Sequence, residues 1–312
     1  MMLRVRNVRS ADEFVDPAVD PPDYAAQLEE MFDSQESHLS WCFVAEDAQK
    51  RVGRLGLRVE PTTSDPAWLG TLPGQEMSVF GLQLPWEGGY PEAGRLLFDE
   101  ARSLTRGTVP GSVDARIHRH LHDHEDKRRA VLESWGLELF QEKQGFKWQS
   151  NGEDITVPTR LTFTNIGVSG RDRYGAVMAR CGEGTLDRND RYYWAGCGPD
   201  NWGRQMLEYL NPADSALWLL AELDGEAVGY NAVSRAEDWG STIAHIGVVP
   251  EHRGQGYIND LLLAGTAAAQ DAGIDGMLSD VDVLNQPMME AMRRNGHPDI
   301  DSWHVWHYRG PF

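Results

Sequence analysis

The sequence contains few cysteines and no long apolar run. Its three cysteines, Cys42, Cys181 and Cys197, lie far apart and form no CxxC pair, so neither a disulfide framework nor a zinc cage is indicated, and a reducing cytoplasm is the expected compartment. No apolar run approaches the roughly 18–20 residues that span a bilayer. The first twenty residues are polar throughout, so we expect no secretion signal.

Positive charge is also scarce. The 312 residues include 29 Lys and Arg against 48 Asp and Glu, a formal net charge of −19. Because nucleic acids and anionic membrane surfaces attract basic proteins, neither is an expected partner. The acidic balance favours a cationic acceptor such as an amine, although acidity also serves solubility alone. The length allows two domains.

The chain contains an internal repeat. Residues 43–57 (FVAEDAQKRVGRLGL) and 219–233 (LLAELDGEAVGYNAV) share an apolar run, an Ala-Glu pair, a polar turn, Val-Gly and a second apolar run. The Ala of the Ala-Glu pair and the Gly of the Val-Gly pair are eight residues apart in both copies, Ala45 to Gly53 and Ala221 to Gly229. Both segments predict β-hairpins, and the second has the Asp-Gly turn typical of them.

Two further correspondences follow in the same order. Residues 80–90 and 244–257 each read as a strand, a proline and a glycine-containing turn before a helix, and residues 130–140 and 287–297 each read as a helix that ends at a glycine. We therefore predict two similar α/β domains, each a mostly antiparallel mixed sheet flanked by helices. Their predicted ranges are 1–150 and 161–312, joined by a polar linker over 151–160.

A basic, glycine-rich turn stands out in the second copy. In VVPEHRGQGYINDLLLAG (residues 248–265), a strand ends at Pro250, and Arg253-Gly254-Gln255-Gly256 leads into a helix. Glycines let backbone N–H groups approach an anion, the helix N-terminus is partly positive, and arginine adds a forked cation. The segment fits neither a P-loop nor a GxGxxG fingerprint, because Asn259 stands where the last glycine would be.

The residues around this turn carry a resemblance to a known family. The segment is similar to the acyl-CoA loop of the GNAT superfamily of N-acetyltransferases, whose pattern is Arg/Gln-x-x-Gly-x-Gly/Ala after a strand that ends in Val-x-Pro. Arg253 takes the first position and Gly256 the fourth, while Ile258 departs from the small residue of the sixth. The resemblance covers most of 160–312 and, more faintly, 1–150, and the tandem layout is similar to that of mycothiol synthase.

A second family element lies downstream. Residues 276–284 read as a strand, and Asn285 follows it with Gly296 eleven residues further on. The resemblance implies a sheet with a central splay, whose exposed backbone groups hold the pantetheine arm as an added strand, and an Asn that contacts this arm. It thus implies acetyl-CoA as cosubstrate, without a metal, held by Gly247, Val248, Val249, Arg253, Gly254, Gln255, Gly256, Tyr257, Ile258 and Asn285.

Acid and base are harder to assign. The family's usual acid, a tyrosine seven residues after the Asn, is replaced by Met292, so either Tyr308 or His307 protonates the thiolate or it leaves unaided. His245 has a suitable pKa for a base. Asp280 and Asp282 alternate along one strand and share a face, either as base or amine-binding group or as exposed or helix-capping carboxylates.

Other segments allow two interpretations. The aromatic residues of 188–210 could stack on a cationic acceptor or pack between helices; they are Tyr192, Tyr193, Trp194 and Trp202. Four histidines spaced by two could grip a metal, but interleaved arginines repel cations and favour an exposed polar strand end; they are His118, His120, His122 and His124.

The first copy of the turn, LPWEGGYPEAGRLL, has glycines at 88, 89 and 94, but no basic residue precedes them and Glu87 adds negative charge. We expect this half not to bind acyl-CoA. The leading hypothesis for the whole chain is an acetyl-CoA-dependent N-acetyltransferase that acts on a small, cationic amine, and a homodimer is one of the assemblies we consider. A catalytically silent acyl-CoA-binding or regulatory protein and a scaffold without a cofactor are the alternatives.

Overall fold

In a computed structural model, the chain divides into two compact units. The structure describes residues 3–48, 50–59, 77–105, 113–119, 123–210, 215–236 and 240–308. The first unit contains the chain up to Phe140, apart from a short segment, together with the end of the chain from His304, and the second contains Gln141–Trp303. Both units are mixed α/β structures, as predicted.

The first unit begins with an antiparallel meander that ends in one parallel strand pair. Its sheet order is β1-β2-β3-β4-β5, antiparallel up to β4, with β4 and β5 parallel. The helix between β4 and β5 provides the crossover that a parallel pair requires. Its elements are β1 (Leu3–Asn7), α1 (Ala11–Phe14), α2 (Tyr24–Asp33), β2 (Ser37–Asp47), β3 (Lys50–Val59), β4 (Met77–Gln83), α3 (Tyr90–Thr105), β5 (Val113–His118) and α4 (Glu125–Ser134).

The second unit repeats this plan. Its sheet order is β6-β11-β10-β9-β8-β7, and β10 and β11, which flank the longest helix of the unit, form its parallel pair. The elements are β6 (Glu138–Gln149), β7 (Thr162–Asn165), α5 (Ile166–Ser169), α6 (Arg171–Gly182), α7 (Arg188–Cys197), α8 (Pro199–Leu210), β8 (Trp218–Leu223), β9 (Glu226–Ala236), β10 (Gly240–Val248), α9 (Tyr257–Asp271), β11 (Gly276–Asp282), α10 (Gln286–Arg294) and β12 (Asp299–Tyr308).

Both predicted hairpins are confirmed. β2 pairs with β3, and β8 pairs with β9, in antiparallel register. Asp224 and Gly225 join the second pair with φ values of +52° and +86°, the positive values that a type I′ turn needs at both central residues. The predicted glycine stops also hold, because Gly136 and Gly296 follow α4 and α10 with φ near +80°.

The compact units differ from the sequence ranges at two places. Residues 141–149 of β6 lie in the second unit, because they pair with β11 from Lys143↔Asp282 to Gln149↔Gly276. Residues 304–308 of β12 lie in the first unit, where Trp306 is buried among the side chains of that core. The segment 151–160 forms neither helix nor strand, and its role as a linker stays a prediction.

Each unit has its own apolar core. In the first, Phe98 stacks on Trp135 with ring centroids 4.7 Å apart, above a sheet face that buries Leu55 and Leu57. In the second, Tyr230 of β9 is buried and meets Tyr174 of α6 edge-on, with ring centroids 5.4 Å apart. Burial at roughly 25 cal/mol per Å² of apolar surface is the main stabilising contribution in such cores.

Candidate active site

A pocket of about 280 Å³ lies in the second unit, where the end of β10 meets the start of α9. It combines residues that are far apart in sequence, from α6 to α10. The lining residues are Cys181, Gly184, Thr185, Leu186, Asp190, His245, Ile246, Gly247, Val248, His252, Arg253, Gly254, Gly256, Tyr257, Ile258, Asn285, Pro287 and Met288.

One wall of the pocket is a splayed strand edge. β10 and β11 pair in parallel at Thr242↔Leu278, while β10 continues to pair with β9 as far as Val248↔Gly229. The register of β10 shifts between Ile243 and His245, as at a β-bulge, which bends a strand. The free edge of β10 can therefore accept an extended ligand as an added strand.

The backbone groups at this edge alternate in direction. Val249 donates its N–H to the carbonyl of Val228 in β9 (2.9 Å), whereas the carbonyl of Val248 points the other way and accepts from Arg253. Because successive residues of an antiparallel strand alternate in this manner, the groups on the open side belong to Val248 and Ile246. Gly247 and Val248 line the pocket, whereas Val249 is fully buried.

The glycine-rich turn forms the floor of the pocket. Gly254 and Gly256 have φ values of +75° and +78°, a left-handed conformation that only glycine adopts at low cost. Gly256 is the N-cap residue of α9, so the first N–H groups of that helix have no intrahelical acceptor and carry its partial positive charge. An anion such as a pyrophosphate fits this position.

Arg253 holds the turn in place. Its guanidinium donates to the carbonyl of Val248 from Nε (3.0 Å), to that of Gly184 from Nη1 (3.2 Å) and to that of Cys181 from Nη2 (2.9 Å). The side chain thus connects the strand end, the turn and the end of α6. Its positive charge remains beside the pocket, which it lines.

A second arginine, which sequence reasoning missed, supports the start of α9. Arg160 pairs with the buried Asp260, lies over the ring of Tyr257 at 4.6 Å and donates to the carbonyl of Gln255 (3.2 Å). Asp260 is only 2% exposed, and a buried carboxylate needs such a partner. The 100 residues between the two give no sequence signal for the pair.

The remaining predicted cofactor residues lie around the same turn. Ile258 and Asn285 both line the pocket. Ile258 also packs against the apolar core, and Asn285 is the N-cap of α10, where its Oδ1 accepts from the N–H of Met288. The side chain of Gln255 is exposed and points to the carbonyl of Glu251 (3.4 Å).

His245 lies in the pocket and is held on both ring nitrogens. Its Nε2 is 3.0 Å from Oδ2 of Asp190, and its Nδ1 forms a hydrogen bond with the hydroxyl of Tyr230. The Tyr230 ring stacks on the imidazole, with centroids 5.7 Å apart, and Trp202 meets it edge-on. The imidazole is therefore firmly oriented.

The charge state of this group follows from its neighbours. Burial disfavours the imidazolium, but the charge and hydrogen bond of Asp190 outweigh burial, and the pKa of His245 is raised above its usual value. Burial raises the pKa of Tyr230 well above its usual value, so its hydroxyl keeps its proton. Burial and the Asp190 charge also raise the pKa of Asp187, the N-cap of α7.

The two β11 carboxylates share a face but lie in different surroundings. Asp282 is buried and accepts hydrogen bonds from Gln141 Nε2 (3.0 Å) and from the backbone N–H groups of Arg188 and Leu284 (2.8 Å each). Asp282 therefore contacts the start of α7 and does not cap the next helix, α10, whose N-cap is Asn285. Asp280 is more exposed and pairs with Lys143. Neither carboxylate is among the residues that line the pocket.

The C-terminal candidates lie in the first unit. Arg102 donates to the hydroxyl of Tyr308 (3.2 Å), and His307 stacks on Phe140 with ring centroids 4.0 Å apart. The pocket lining in the described part of the second unit includes neither. Met292 is 1% exposed within the core.

The aromatic residues of α7 and α8 mainly pack between helices. Trp202 is 2% exposed, Trp194 donates its indole N–H to the carbonyl of Ala179, and Tyr193 packs against the core and edge-on against Tyr192. Helix packing therefore accounts for these contacts. None of the four lines the pocket as far as the described residues define it.

The histidine-rich segment lies only partly within the described residues. His120 and His122 fall outside them. His118 ends β5, and His124 precedes α4, with its Nε2 3.7 Å from Glu87. The part of the chain that the structure describes holds no group of three or more potential metal ligands. Among its helices, none is both long and apolar enough to cross a membrane.

Asp190 and Tyr230 are functional candidates that sequence reasoning did not identify. Tyr230 occupies an ordinary apolar strand position, and Asp190 looks like one of several acidic residues at the start of a helix. Tyr230 reaches His245 because β9 pairs with β10, and Asp190 reaches it from the first turn of α7.

Comparison with known proteins identifies the type of domain. Residues 188–297 match the model of the Acetyltransferase (GNAT) family, a range that contains Asp190, His245, the glycine-rich turn and Asn285. No curated protein sequence matches this chain.

Solved structures share the fold along most of the chain. A GCN5-related N-acetyltransferase from Sphaerobacter thermophilus superimposes with a TM-score of 0.62 at 16% identity and covers 99% of this chain and 97% of its own. A tandem GNAT protein from the clavulanic acid biosynthesis pathway has a TM-score of 0.52 at 18% identity and covers 87% of this chain and 83% of its own. A GCN5-related N-acetyltransferase from Kribbella flavida has a TM-score of 0.53 at 14% identity and covers 91% of this chain and 93% of its own. At these identities the likeness concerns the fold.

Proposed function

The second unit carries an acetyltransferase domain of the GNAT family, and from this premise we propose that the protein transfers the acetyl group of acetyl-CoA to a primary amine of a small, cationic acceptor. The amine attacks the thioester directly, without an acyl-enzyme. The observation that carries the proposal is one pocket in which the open edge of β10, the glycine turn and His245 meet.

The residues present fit acetyl-CoA. A Cβ added at Gly254 would meet no atom within 4 Å, so the space above the turn is open to a pyrophosphate, which the N–H groups at the start of α9 would bind. The pantetheine arm would lie along the edge of β10 at Val248, within reach of Asn285. When bound, acetyl-CoA supplies an activated thioester.

The protein contributes position and proton transfer. Holding amine and thioester in line removes most of the entropic cost of a bimolecular step. A base must take one proton from the ammonium, because only the free amine has an electron pair for attack. Of the predicted bases, His245 lies in the pocket, whereas Asp280 and Asp282 do not line it.

The leaving thiolate needs little help. Met292, at the usual tyrosine position, is buried and cannot donate a proton, and Tyr308 bonds to Arg102 in the first unit. A CoA thiolate is a tolerable leaving group near neutral pH, since free thiols have pKa values of about 8.5. We propose that the thiolate departs without a protein acid and takes its proton from solvent.

Negative charge favours an acceptor with a positive charge. The formal net charge is −19, and Asp190 places a carboxylate in the lining of the pocket. Such a field raises the local concentration of cations.

Two measurements test the proposal. Calorimetry with acetyl-CoA measures binding, and a thiol assay of CoA release with a panel of primary amines, checked by the mass of the acetylated product, measures transfer. We expect saturable binding and turnover on at least one cationic amine. Binding without turnover on any amine would favour a silent acyl-CoA-binding protein, and no heat at millimolar ligand would overturn both.

A further inference from the structure

His245 is the predicted base that reaches the pocket, yet both of its ring nitrogens already have partners. The hydroxyl of Tyr230 bonds to Nδ1, and Oδ2 of Asp190 lies 3.0 Å from Nε2. A neutral imidazole has one N–H donor and one bare nitrogen acceptor. Which nitrogen carries the proton decides whether the ring can accept another.

Both partners select the same tautomer. Tyr230 is fully buried and keeps its proton, and among the described residues its hydroxyl bonds to His245 Nδ1. In the neutral ring the hydroxyl therefore donates to Nδ1, which must be bare, and the ring proton lies on Nε2. From there it is donated to the Asp190 carboxylate. The opposite tautomer would place a bare nitrogen against a carboxylate, which is repulsive. In the imidazolium, which the raised pKa of His245 favours, both nitrogens carry protons and neither can accept another.

In this arrangement neutral His245 has no nitrogen left for a substrate proton. Asp190 differs, because an ionised carboxylate has about four acceptor sites and its hydrogen bond to His245 involves Oδ2. Asp190 lines the same pocket as Gly247, Val248 and the glycine turn, and its side chain is 17% exposed. Its carboxylate is thus within the space where the amine must bind.

We propose that Asp190, rather than His245, takes the proton from the acceptor ammonium, and that His245 and Tyr230 are positioning residues that orient this carboxylate. This inference rests on the proposed function. In the step, one N–H bond of the ammonium breaks and an O–H bond to Asp190 forms. The freed electron pair attacks the thioester carbonyl, and the C–S bond then breaks. The amide nitrogen loses a second proton to solvent.

The surroundings keep the carboxylate in place. Asp190 donates its backbone N–H to Oδ1 of Asp187 (3.0 Å) in the first turn of α7. The other charged groups near the pair are Asp187, with Asp282 behind it, and Lys143 from β6, while Cys181 and Tyr230 are neutral. Lys143 partly balances the carboxylates.

The first experiment needs no substrate. Nitrogen-15 NMR of the histidine rings, assigned with His245→Gln, reads the tautomer directly. Above the pKa of the ring we expect the Nε2–H form in the wild type and loss of that preference in Asp190→Asn, and below it the doubly protonated ring, which has no bare nitrogen either. A wild-type ring protonated on Nδ1 with a bare Nε2 would overturn the proposal, whether or not the protein turns over any amine.

The second experiment compares variants in the acetyl-transfer assay. We expect Asp190→Asn to lower kcat/KM by about 100-fold or more, the usual range for a general base, while the Kd for acetyl-CoA changes less than threefold. His245→Gln should cost about tenfold, and Asp190→Glu should restore part of the activity. Glu208→Gln, an exposed carboxylate on α8 paired with Arg204, is the matched control and should match the wild type.

The pH dependence separates proton transfer from a structural defect. At high pH the acceptor is increasingly a free amine, so the deficit of Asp190→Asn should shrink as pH rises towards the amine pKa of about 10. A deficit constant with pH, or a larger loss in His245→Gln than in Asp190→Asn, would overturn the assignment. Wild-type inactivity on every amine would instead reject the proposed function, and the NMR result would then decide on the arrangement alone.

Discussion

In the second unit, the turn after β10 carries its own arginine, whereas in the first unit the turn after β4 carries Glu87 in the corresponding region. Both units use a guanidinium to bind a carbonyl near the strand end. In the second, Arg253 binds the carbonyl of Val248. In the first, Arg128 comes from α4 and binds the carbonyl of Leu82 (2.9 Å).

Because the two arginines come from different elements, different side chains lie beside the two turns. Arg128 is 5% exposed and lies over the ring of Trp86 at 4.6 Å, while Lys127 binds the Trp86 carbonyl (2.6 Å). These side chains fill the region beside the turn. Arg253 instead bonds to carbonyls at the side of its turn, and the space above Gly254 stays open. An added Cβ meets no atom within 4 Å at Gly88 or at Gly254, so the two turns differ in the side chains beside them. We call the turn flanked by Arg128 and Lys127 the closed turn and the turn beside Arg253 the open turn.

The largest expected effect comes from opening the closed turn. Arg128→Ala removes a buried guanidinium and leaves the carbonyls of Leu82 and Asp123 without their donor. Each such loss costs about 1–3 kcal/mol, so we expect the first unit to lose about 2–6 kcal/mol of stability. Denaturant unfolding followed by Trp fluorescence measures this. Acetyl-CoA affinity should be unchanged, because we propose that acetyl-CoA binds in the second unit. A tenfold loss of affinity would contradict that placement.

We expect acid to lower the stability of the second unit through one buried histidine. In the second unit, burial lowers the pKa of His297 to about 4, and its Nδ1 has no hydrogen-bond partner among the described residues. The unfolded chain takes up this proton near pH 6.5, whereas the folded protein does so near pH 4. Stability is therefore full above pH 6.5 and falls by about 3 kcal/mol as the pH drops to 4.

Thermal unfolding between pH 7.5 and 4 measures this slope in the wild type and in His297→Gln. We expect the variant to be less dependent on pH in that window, because its side chain does not titrate. Equal slopes in the two proteins would show that His297 is not the group responsible.

The open turn should depend on the shape of Arg253 as well as on its charge. Arg253→Ala removes three hydrogen bonds to carbonyls and one positive charge. We expect acetyl-CoA binding to weaken by about 1.5–3 kcal/mol, since hydrogen bonds to charged groups contribute on this scale. Calorimetry gives the dissociation constant.

Arg253→Lys is the informative companion. A lysine keeps the charge but cannot reproduce the planar fork, so we expect it to restore less than half of the lost binding energy. Full recovery of acetyl-CoA affinity in Arg253→Lys would mean that charge alone matters. An unchanged dissociation constant in Arg253→Ala would reject the role of Arg253 in binding acetyl-CoA.

The smallest effect compares two glycines. Gly256 has φ +78°, so Gly256→Ala should cost about 1–2 kcal/mol of backbone strain and reduce acetyl-CoA affinity up to about tenfold. The matched variant, Gly88→Ala, adds a Cβ that meets no atom within 4 Å at a residue without positive φ, and it should change neither stability nor affinity. Equal acetyl-CoA affinities in both variants would show that the left-handed backbone at Gly256 is not needed for binding.

Short sequence patterns were enough to predict the hairpins, two helix ends and the glycine-rich turn. The Ala-Glu…Val-Gly repeat, the Asp-Gly turn and the glycines after two helices gave hairpins and helix ends that the structure confirms, because these depend on backbone preferences within a few residues. The glycine turn was also predictable, since strand, proline and glycines are contiguous. The same is true of the mixed α/β architecture and the GNAT type of domain.

Tertiary structure decided which side chains surround each candidate residue of the site. His245 was identifiable as a polar residue on a strand, but Asp190 and Tyr230, which hold its nitrogens, come from other elements. Asp282 became a buried hydrogen-bond acceptor beside β6, with which β11 pairs across more than 100 residues, and Tyr308 lies in the first unit. The sequence by itself thus determined the two repeated folds and the glycine-rich turn, since both are local, while the surroundings of His245 depend on burial and hydrogen bonding that only the packed chain creates.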